Sequence, residues 1–294
     1  MAAVNRRSAW WLALRPATLP ASAAPVLVGA GAAAADHAFA LGPALAALAG
    51  AALLQIGANF ANDVFDFEHG ADQEDRLGPQ RATQQGWISP AEMKRAMWLT
   101  FAAAALVGLY LTWVGGWPVL ALGLASIAAA YLYTGGPRPY GYLGLGDLAV
   151  FIFFGLGAVM GTYYVQAGTL GWLPVLAAIP VGALATAILV VNNLRDIETD
   201  ARANKRTLAV RLGAGPTRIY YFALLVVAYV TPPLLWFAGL SSPWVMLPWL
   251  SLPLALRLAR RMQRDLGLAL NGCLARTARL EVIFGLLFAL GLAL

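Results

Sequence analysis

The sequence predicts an all-α, polytopic membrane protein: nine transmembrane helices in one bundle, with active-site loops on the cytoplasmic side and residues 1–294 forming a single domain. Three observations predict it. Of 294 residues, 60% are hydrophobic and 12% charged, against about half apolar and about a quarter charged in a soluble domain. Apolar runs approaching the about 20 residues that a spanning helix needs recur along the whole chain. The Lys and Arg residues between those runs fall only in alternate loops.

The first run, Ala17 to Ala35, is preceded by Trp10, Trp11, Arg15 and Pro16, which read as a short interfacial helix with its tryptophans at the headgroup level. No cleavable signal is expected, because this run flows into the pattern that follows. Phe39 to Ala61, Met97 to Val114, Trp117 to Tyr133 and Leu145 to Val165 come next. Trp172 to Val191 and Ile219 to Ala238 follow, then a short eighth run, Val245 to Leu256, interrupted by Pro248 and Pro253, and a ninth, Leu280 to Leu294. Small residues such as Gly155, Gly157 and Gly161 in the fifth run read as contacts between helices.

The basic residues orient the bundle. Arg6, Arg7 and Arg15 precede the first helix; Arg76, Arg81, Lys94 and Arg95 follow the second; Arg138 follows the fourth. Arg195 to Arg218 surround the end of the sixth and Arg257 to Arg279 follow the eighth, while the loops around Asp36, Gly115, Gly168 and Ser241 hold no Lys or Arg. The N-terminus therefore faces the cytoplasm and the C-terminus the outside of a bacterial inner membrane, with the lipid bilayer as the first partner. The net charge of +6 and pI near 9.7 become a topogenic signal, spread over several loops without an aromatic-interleaved patch, so no nucleic-acid partner is expected. Cys273 is the single cysteine and His37 and His69 the only histidines, which excludes an internal disulfide and a Cys or His metal cluster. Oligomeric state leaves no mark in the sequence.

Acidic residues contribute little to topology, yet of the 14 Asp and Glu all but Asp36 are placed on the cytoplasmic side. Two segments hold most of them, Asn62 to Arg76 and Asn192 to Asp200. If the second helix continues past Asn59, then Asn59, Asn62, Asp63 and Asp66 form one stripe; Asn193, Asp196 and Asp200 form another. Ionisable groups at membrane depth face a bundle interior or a water-filled cavity. Clustered carboxylates repel unless a cation joins them, and Mg²⁺ is held by one or two carboxylates together with substrate phosphate oxygens. The interleaved Arg76, Arg81, Lys205 and Arg206 supply donors to the same phosphates. A phosphorylated substrate with Mg²⁺ as cofactor is the expectation.

These residues resemble the UbiA superfamily of intramembrane aromatic prenyltransferases. Its Asn-Asp-x-x-Asp motif reads here Asn62-Asp63-Val64-Phe65-Asp66, and its Asp-x-x-x-Asp motif reads Asp196-Ile197-Glu198-Thr199-Asp200. The usual third Asp of the first motif is replaced by Gly70. The extension Asp72-Gln73-Glu74-Asp75-Arg76-Leu77-Gly78-Pro79, with Arg81-Ala82-Thr83-Gln84-Gln85-Gly86, is similar to the branch that uses 1,4-dihydroxy-2-naphthoate. Leu14 to Pro20, Tyr133 to Asp147, Asn192 to Asp196 and Lys205 to Gly213 carry the same likeness, which covers nearly the whole chain.

The resemblance implies transfer of a polyprenyl group from polyprenyl diphosphate to 1,4-dihydroxy-2-naphthoate, with loss of CO₂ and diphosphate. It implies Mg²⁺ held by Asn62, Asp63, Asp66, Asp196 and Asp200, with Asp63, Asp66, Asp196, Asp200, Lys205 and Arg76 as catalytic groups. Asn59, Asn62, Asp72, Asp75, Arg81, Gln84, Tyr133, Arg138, Tyr140, Asn192 and Asn193 are the expected substrate-binding residues. Tyr133, Tyr140 and Tyr142 offer an aromatic face to an allylic cation or belong to an interfacial belt. Asp147 either orients the acceptor, binds an Arg, or caps the fifth helix. Other acceptors, such as 4-hydroxybenzoate or homogentisate, and a membrane transporter are the rival readings; the shifted acidic motif argues against the former, and the same-side placement of both motifs against the latter.

Overall fold

The computed structural model describes residues 5–16, 18–71 and 77–294. Asp72, Asp75 and Arg76 lie outside the described residues. The chain is helical: α1 (Arg6–Leu14), α2 (Leu19–Ala35), α3 (Leu41–Glu68), α4 (Pro90–Gly115), α5 (Trp117–Leu132), α6 (Gly146–Val150), α7 (Ala158–Ala167), α8 (Trp172–Arg195), α9 (Ile197–Arg202), α10 (Leu208–Leu212), α11 (Ala214–Phe237), α12 (Leu252–Arg264) and α13 (Leu270–Ala293). A π-helical stretch, Phe151–Gly157, joins α6 to α7. Five segments are long and apolar enough to cross a membrane, namely α3, α4, Gly146–Ala167, α8 and α11; there are six if α1 and α2 are one bent span.

Local chemistry sets several of these boundaries. Ser89 and Glu92 form a reciprocal capping box at the start of α4, with Pro90 in its first turn, where the missing N–H costs nothing. Gly116 turns the chain from α4 into α5 at φ +76°, which a side chain resists. Pro248 sits inside a 3-10 stretch, Pro243–Ser251, and Pro253 opens α12, so the interrupted eighth run becomes two helical pieces of different geometry.

Two expectations change. The last helix begins at Leu270, ten residues before the apolar run suggests, because Arg276, Arg279 and Glu281 lower hydropathy without stopping a helix. Glu281 is consequently buried inside the bundle. The second polar stripe is not one continuous helix: α8 ends at Arg195, and Asp196 (φ −95°, ψ 12°) joins it to α9.

The bundle core is built on α8, which packs against α2, α7, α11 and α13. Small residues permit that closeness. A Cβ on Gly155 would stand 2.7 Å from the Gly182 Cα, and one on Gly285 would stand 2.8 Å from the Ala24 Cβ. A smaller core joins α1, α3 and α4 through Phe60, Val64, Ile88, Met93 and Met97. Leu99, Leu106, Leu109, Trp113 and Trp117 on α4 and α5 are exposed, an apolar surface suited to lipid rather than water. At 28 residues, α3 is longer than its neighbours. At about 1.5 Å per residue it exceeds the about 30 Å hydrocarbon layer, so its last turns, with Asn59 to Asp66, reach the membrane face.

Candidate active site

The end of α3 places Asn59, Asn62, Asp63 and Asp66 on one helix, as their spacing predicts. Each has a distinct commitment. Asn59 Nδ2 donates to the Leu14 carbonyl at 3.0 Å and to Thr18 Oγ1 at 3.1 Å, tying α3 to the α1–α2 connection. Asn62 Oδ1 accepts from Thr134 Oγ1 at 3.0 Å. The Asp63 carboxylate accepts the backbone N–H groups of Ala82 at 3.1 Å and Thr83 at 2.9 Å, shaping the loop before α4. Asp66 accepts from Arg81 Nη2 at 2.9 Å and from Tyr142 Oη at 2.8 Å. Asp63, Asp66 and Arg81 are all buried.

The second motif is held differently. The Arg195 guanidinium, itself buried, grips Asp196 through Nε at 2.8 Å and Nη2 at 2.6 Å. It also donates to Asn192 Oδ1 and, from α8 across to α13, to Asn271 Oδ1, both at 2.8 Å. Asn271 Nδ2 in turn donates to the Leu77 carbonyl at 3.0 Å, just beyond the first motif. A chain of hydrogen bonds thus runs from Asp196 to the loop that follows Asp66.

Lys205 completes the junction. Its Nζ lies 3.9 Å from Asp66 Oδ1 and 3.8 Å from Asp200 Oδ1, and 5.2 Å from the centre of the Tyr142 ring. One ammonium therefore stands between a carboxylate of each motif, in a site where both are buried. Backbone bonds fix the loop that carries it: Lys205 N–H donates to the Asp200 carbonyl at 2.8 Å and Arg206 N–H to the Tyr142 carbonyl at 3.1 Å.

A model of the UbiA prenyltransferase family matches residues 22–267 of this sequence. The chain belongs to that family. It is 48% identical over 250 residues to a 1,4-dihydroxy-2-naphthoate octaprenyltransferase of Mycobacterium tuberculosis, covering 85% of this chain and 84% of that one. It is 43% identical over 298 residues to the Escherichia coli protein of the same name, covering 99% and 97%. In fold it is similar to the apo structure of a UbiA homolog from Aeropyrum pernix K1 (TM-score 0.70, 17% identity, 92% of this chain and 96% of that one). It also resembles a UbiA homolog from Archaeoglobus fulgidus bound to GPP and Mg²⁺ (TM-score 0.67, 14% identity, 96% and 99%).

In this family member the structure gathers Asn62, Asp63, Asp66, Arg81, Asp200, Lys205 and Tyr133 at one end of the bundle. Burial pushes Tyr140 up to about 12. It stays a protonated donor at neutral pH and directs its hydroxyl to the Ala129 carbonyl at 2.7 Å. Tyr133 and Tyr140 meet edge to face with centroids 5.4 Å apart. Asn193 is buried on α8, Gln84 is half-buried beside Thr83, and Arg138 and Arg206 are exposed.

Arg195 and Asn271 escaped the sequence reading as site residues. Arg195 carried a signal, since it directly precedes Asp196, but it counts among the basic residues that mark topology. Asn271 carried none.

Among the described residues, no three His, Cys, Asp or Glu side chains form a group that holds a metal by itself. The donors present are carboxylate and amide oxygens, which suit a hard cation. Mg²⁺ habitually takes only one or two carboxylates and completes its shell with substrate phosphate and water. The donor set therefore fits Mg²⁺ that arrives with a phosphorylated ligand.

Proposed function

We propose that this chain transfers a polyprenyl group from polyprenyl diphosphate to 1,4-dihydroxy-2-naphthoate, releasing diphosphate and CO₂, in menaquinone biosynthesis. The observation that carries the reading is the convergence of both acidic motifs on Lys205. The naphthoate acceptor is supported by the names of relatives at 41–48% identity.

Asn62, Asp66 and Asp200 are the first residues proposed to hold Mg²⁺. Asp63 and Asp196 keep further lone pairs for it beyond their bonds to backbone N–H groups and to Arg195. When bound, the ion supplies positive charge to the diphosphate leaving group. Lys205, with Arg76 and Arg81, adds preorganised positive charge as the allylic C–O bond breaks and its electrons leave with diphosphate. Tyr133 and Tyr142 present ring faces to the electron-deficient carbon. The aromatic ring then forms the new C–C bond, and departure of its carboxyl group as CO₂ restores aromaticity. Asp72, Asp75, Gln84, Arg138, Asn192 and Asn193 stand as further substrate-binding proposals.

Nine membrane passes in a single domain complete the proposal, with the N-terminus and the site cytoplasmic and the C-terminus outside. The Lys and Arg distribution supports this orientation.

Membranes carrying the protein, given radiolabelled dihydroxynaphthoate, a polyprenyl diphosphate and Mg²⁺, should yield a lipid-extractable product. Asp66→Ala and Asp196→Ala should each lose about 10²- to 10³-fold in rate. Absence of product from the parent protein, or full activity in both variants, overturns the reading.

A further inference from the structure

Asp147 is an acidic side chain that belongs to neither motif. It lies in the first turn of α6, buried at 5% exposure. The sequence left three roles open, and two of them fail. The N-cap of α6 is Leu145, without a side-chain cap, and among the described residues Asp147 makes no ion pair with any Lys or Arg. Its Oδ2 is buried and has no hydrogen-bond partner among the described residues.

The Tyr133 ring lies beside this segment: a Cβ on Gly141 would stand 3.1 Å from its Cε1. Tyr133 Oη is also close to the point where a Cβ on the adjacent Gly146 would stand, 3.0 Å away. Thr134, next in the chain, donates to Asn62 Oδ1 of the first motif at 3.0 Å. Asp147 therefore lies next to Tyr133, whose chain neighbour Thr134 touches the first motif.

A buried carboxylate oxygen without a donor is costly, so a ligand that brings one gains from meeting it. The diphosphate substrate brings none, and its negative charge is repelled. A dihydroxy aromatic acid brings two ring hydroxyls, each able to form a short, charge-assisted hydrogen bond to a carboxylate. Its own carboxylate is directed away by the same charge.

Resting on the prenyl-transfer reading above, we propose that Asp147 is an acceptor-binding residue. Its Oδ2 accepts a hydrogen bond from a ring hydroxyl of 1,4-dihydroxy-2-naphthoate. The proton remains on the phenolic oxygen, and the hydrogen bond raises the electron density of the ring as the new C–C bond forms. Bound in this way, the aromatic acceptor has the Tyr133 ring as its neighbour.

The test varies each substrate separately in membranes carrying the parent protein or Asp147→Asn. The variant should raise KM for dihydroxynaphthoate about 10- to 100-fold, the loss expected for one charged hydrogen bond, and leave KM for polyprenyl diphosphate unchanged. Competition by the two monomethyl ethers of the acceptor gives an independent readout. The parent protein should bind at least one ether more weakly than the dihydroxy acid, and Asp147→Asn should lose that discrimination. An unchanged acceptor KM, or equal rises for both substrates, overturns the inference. So does a parent protein that binds both ethers as tightly as the dihydroxy acid, a result that holds even if the variant fails to fold. A parent protein that makes no product overturns the prenyl-transfer reading instead.

Discussion

The two acidic motifs look alike in sequence and are held by opposite means. At the first, Asp63 and Asp66 draw a loop inward: backbone N–H groups of Ala82 and Thr83 and the side chains of Arg81 and Tyr142 come to them. At the second, Asp196 is held by its own neighbour, Arg195, which reaches outward to Asn271 on the last helix. One motif organises a loop; the other fastens α8 to α13. Similar spacing of carboxylates thus conceals different roles, and removing each partner should separate them.

The largest effect is expected at Arg195. Replacing it by Leu leaves the Asp196 carboxylate buried without the guanidinium that pairs with it, a change that typically costs about 3–5 kcal/mol. Arg81→Leu also removes a buried guanidinium, yet Asp66 keeps Tyr142 and has Lys205 nearby. Thermal unfolding in detergent distinguishes them. Cys273 is the single cysteine and is fully buried, so its reaction with a thiol dye reports opening of the fold. Arg195→Leu should melt below Arg81→Leu; the reverse order would dissolve the contrast between the motifs.

Asn271→Leu is the next test, because it cuts the relay and leaves both ends in place. It removes the acceptor for Arg195 Nη1 and the donor to the Leu77 carbonyl. An unsatisfied buried partner costs about 1–3 kcal/mol. The melting point should fall less than in Arg195→Leu, and KM for polyprenyl diphosphate should rise as the loop after the first motif loses its tie. Parent-like values for both would show that the motifs are independent.

Much of the fold was legible, because hydropathy is the property a bilayer selects: the helix cores fall within the apolar runs. The extension of α3 through Asp66 was legible too, since the spacing of Asn59, Asn62, Asp63 and Asp66 has meaning only on a helix. Four features were not. The break at Asp196 preserves the spacing of a continuous helix, so only backbone angles reveal it. The early start of α13 was masked by Arg276, Arg279 and Glu281, whose charges resemble a loop. Arg195 was read as a topology signal, and what separates it from the exposed Arg138 is burial, which a single sequence does not display. The contact between Asn271 and Leu77 spans 194 residues and has no local pattern at all.

The smallest effect is expected at Lys94, which tests whether burial rather than contact distance decides importance. Lys94 Nζ is 2.7 Å from Glu68 Oε1, closer than Lys205 approaches either Asp66 or Asp200. Both members of that pair are more than a third exposed, at 40% and 37%, whereas Lys205 is 14% exposed. Solvent screens the first pair, and holding two flexible side chains offsets most of what remains, so Lys94→Ala should change stability by no more than about 0.5 kcal/mol. Its prenyl-transfer rate should match the parent. Lys205→Ala, at longer separations, should lose activity because its charge sits among buried carboxylates with little water to replace it. Equal losses in the two variants would mean that proximity to α3, and not the junction of the two motifs, governs the site.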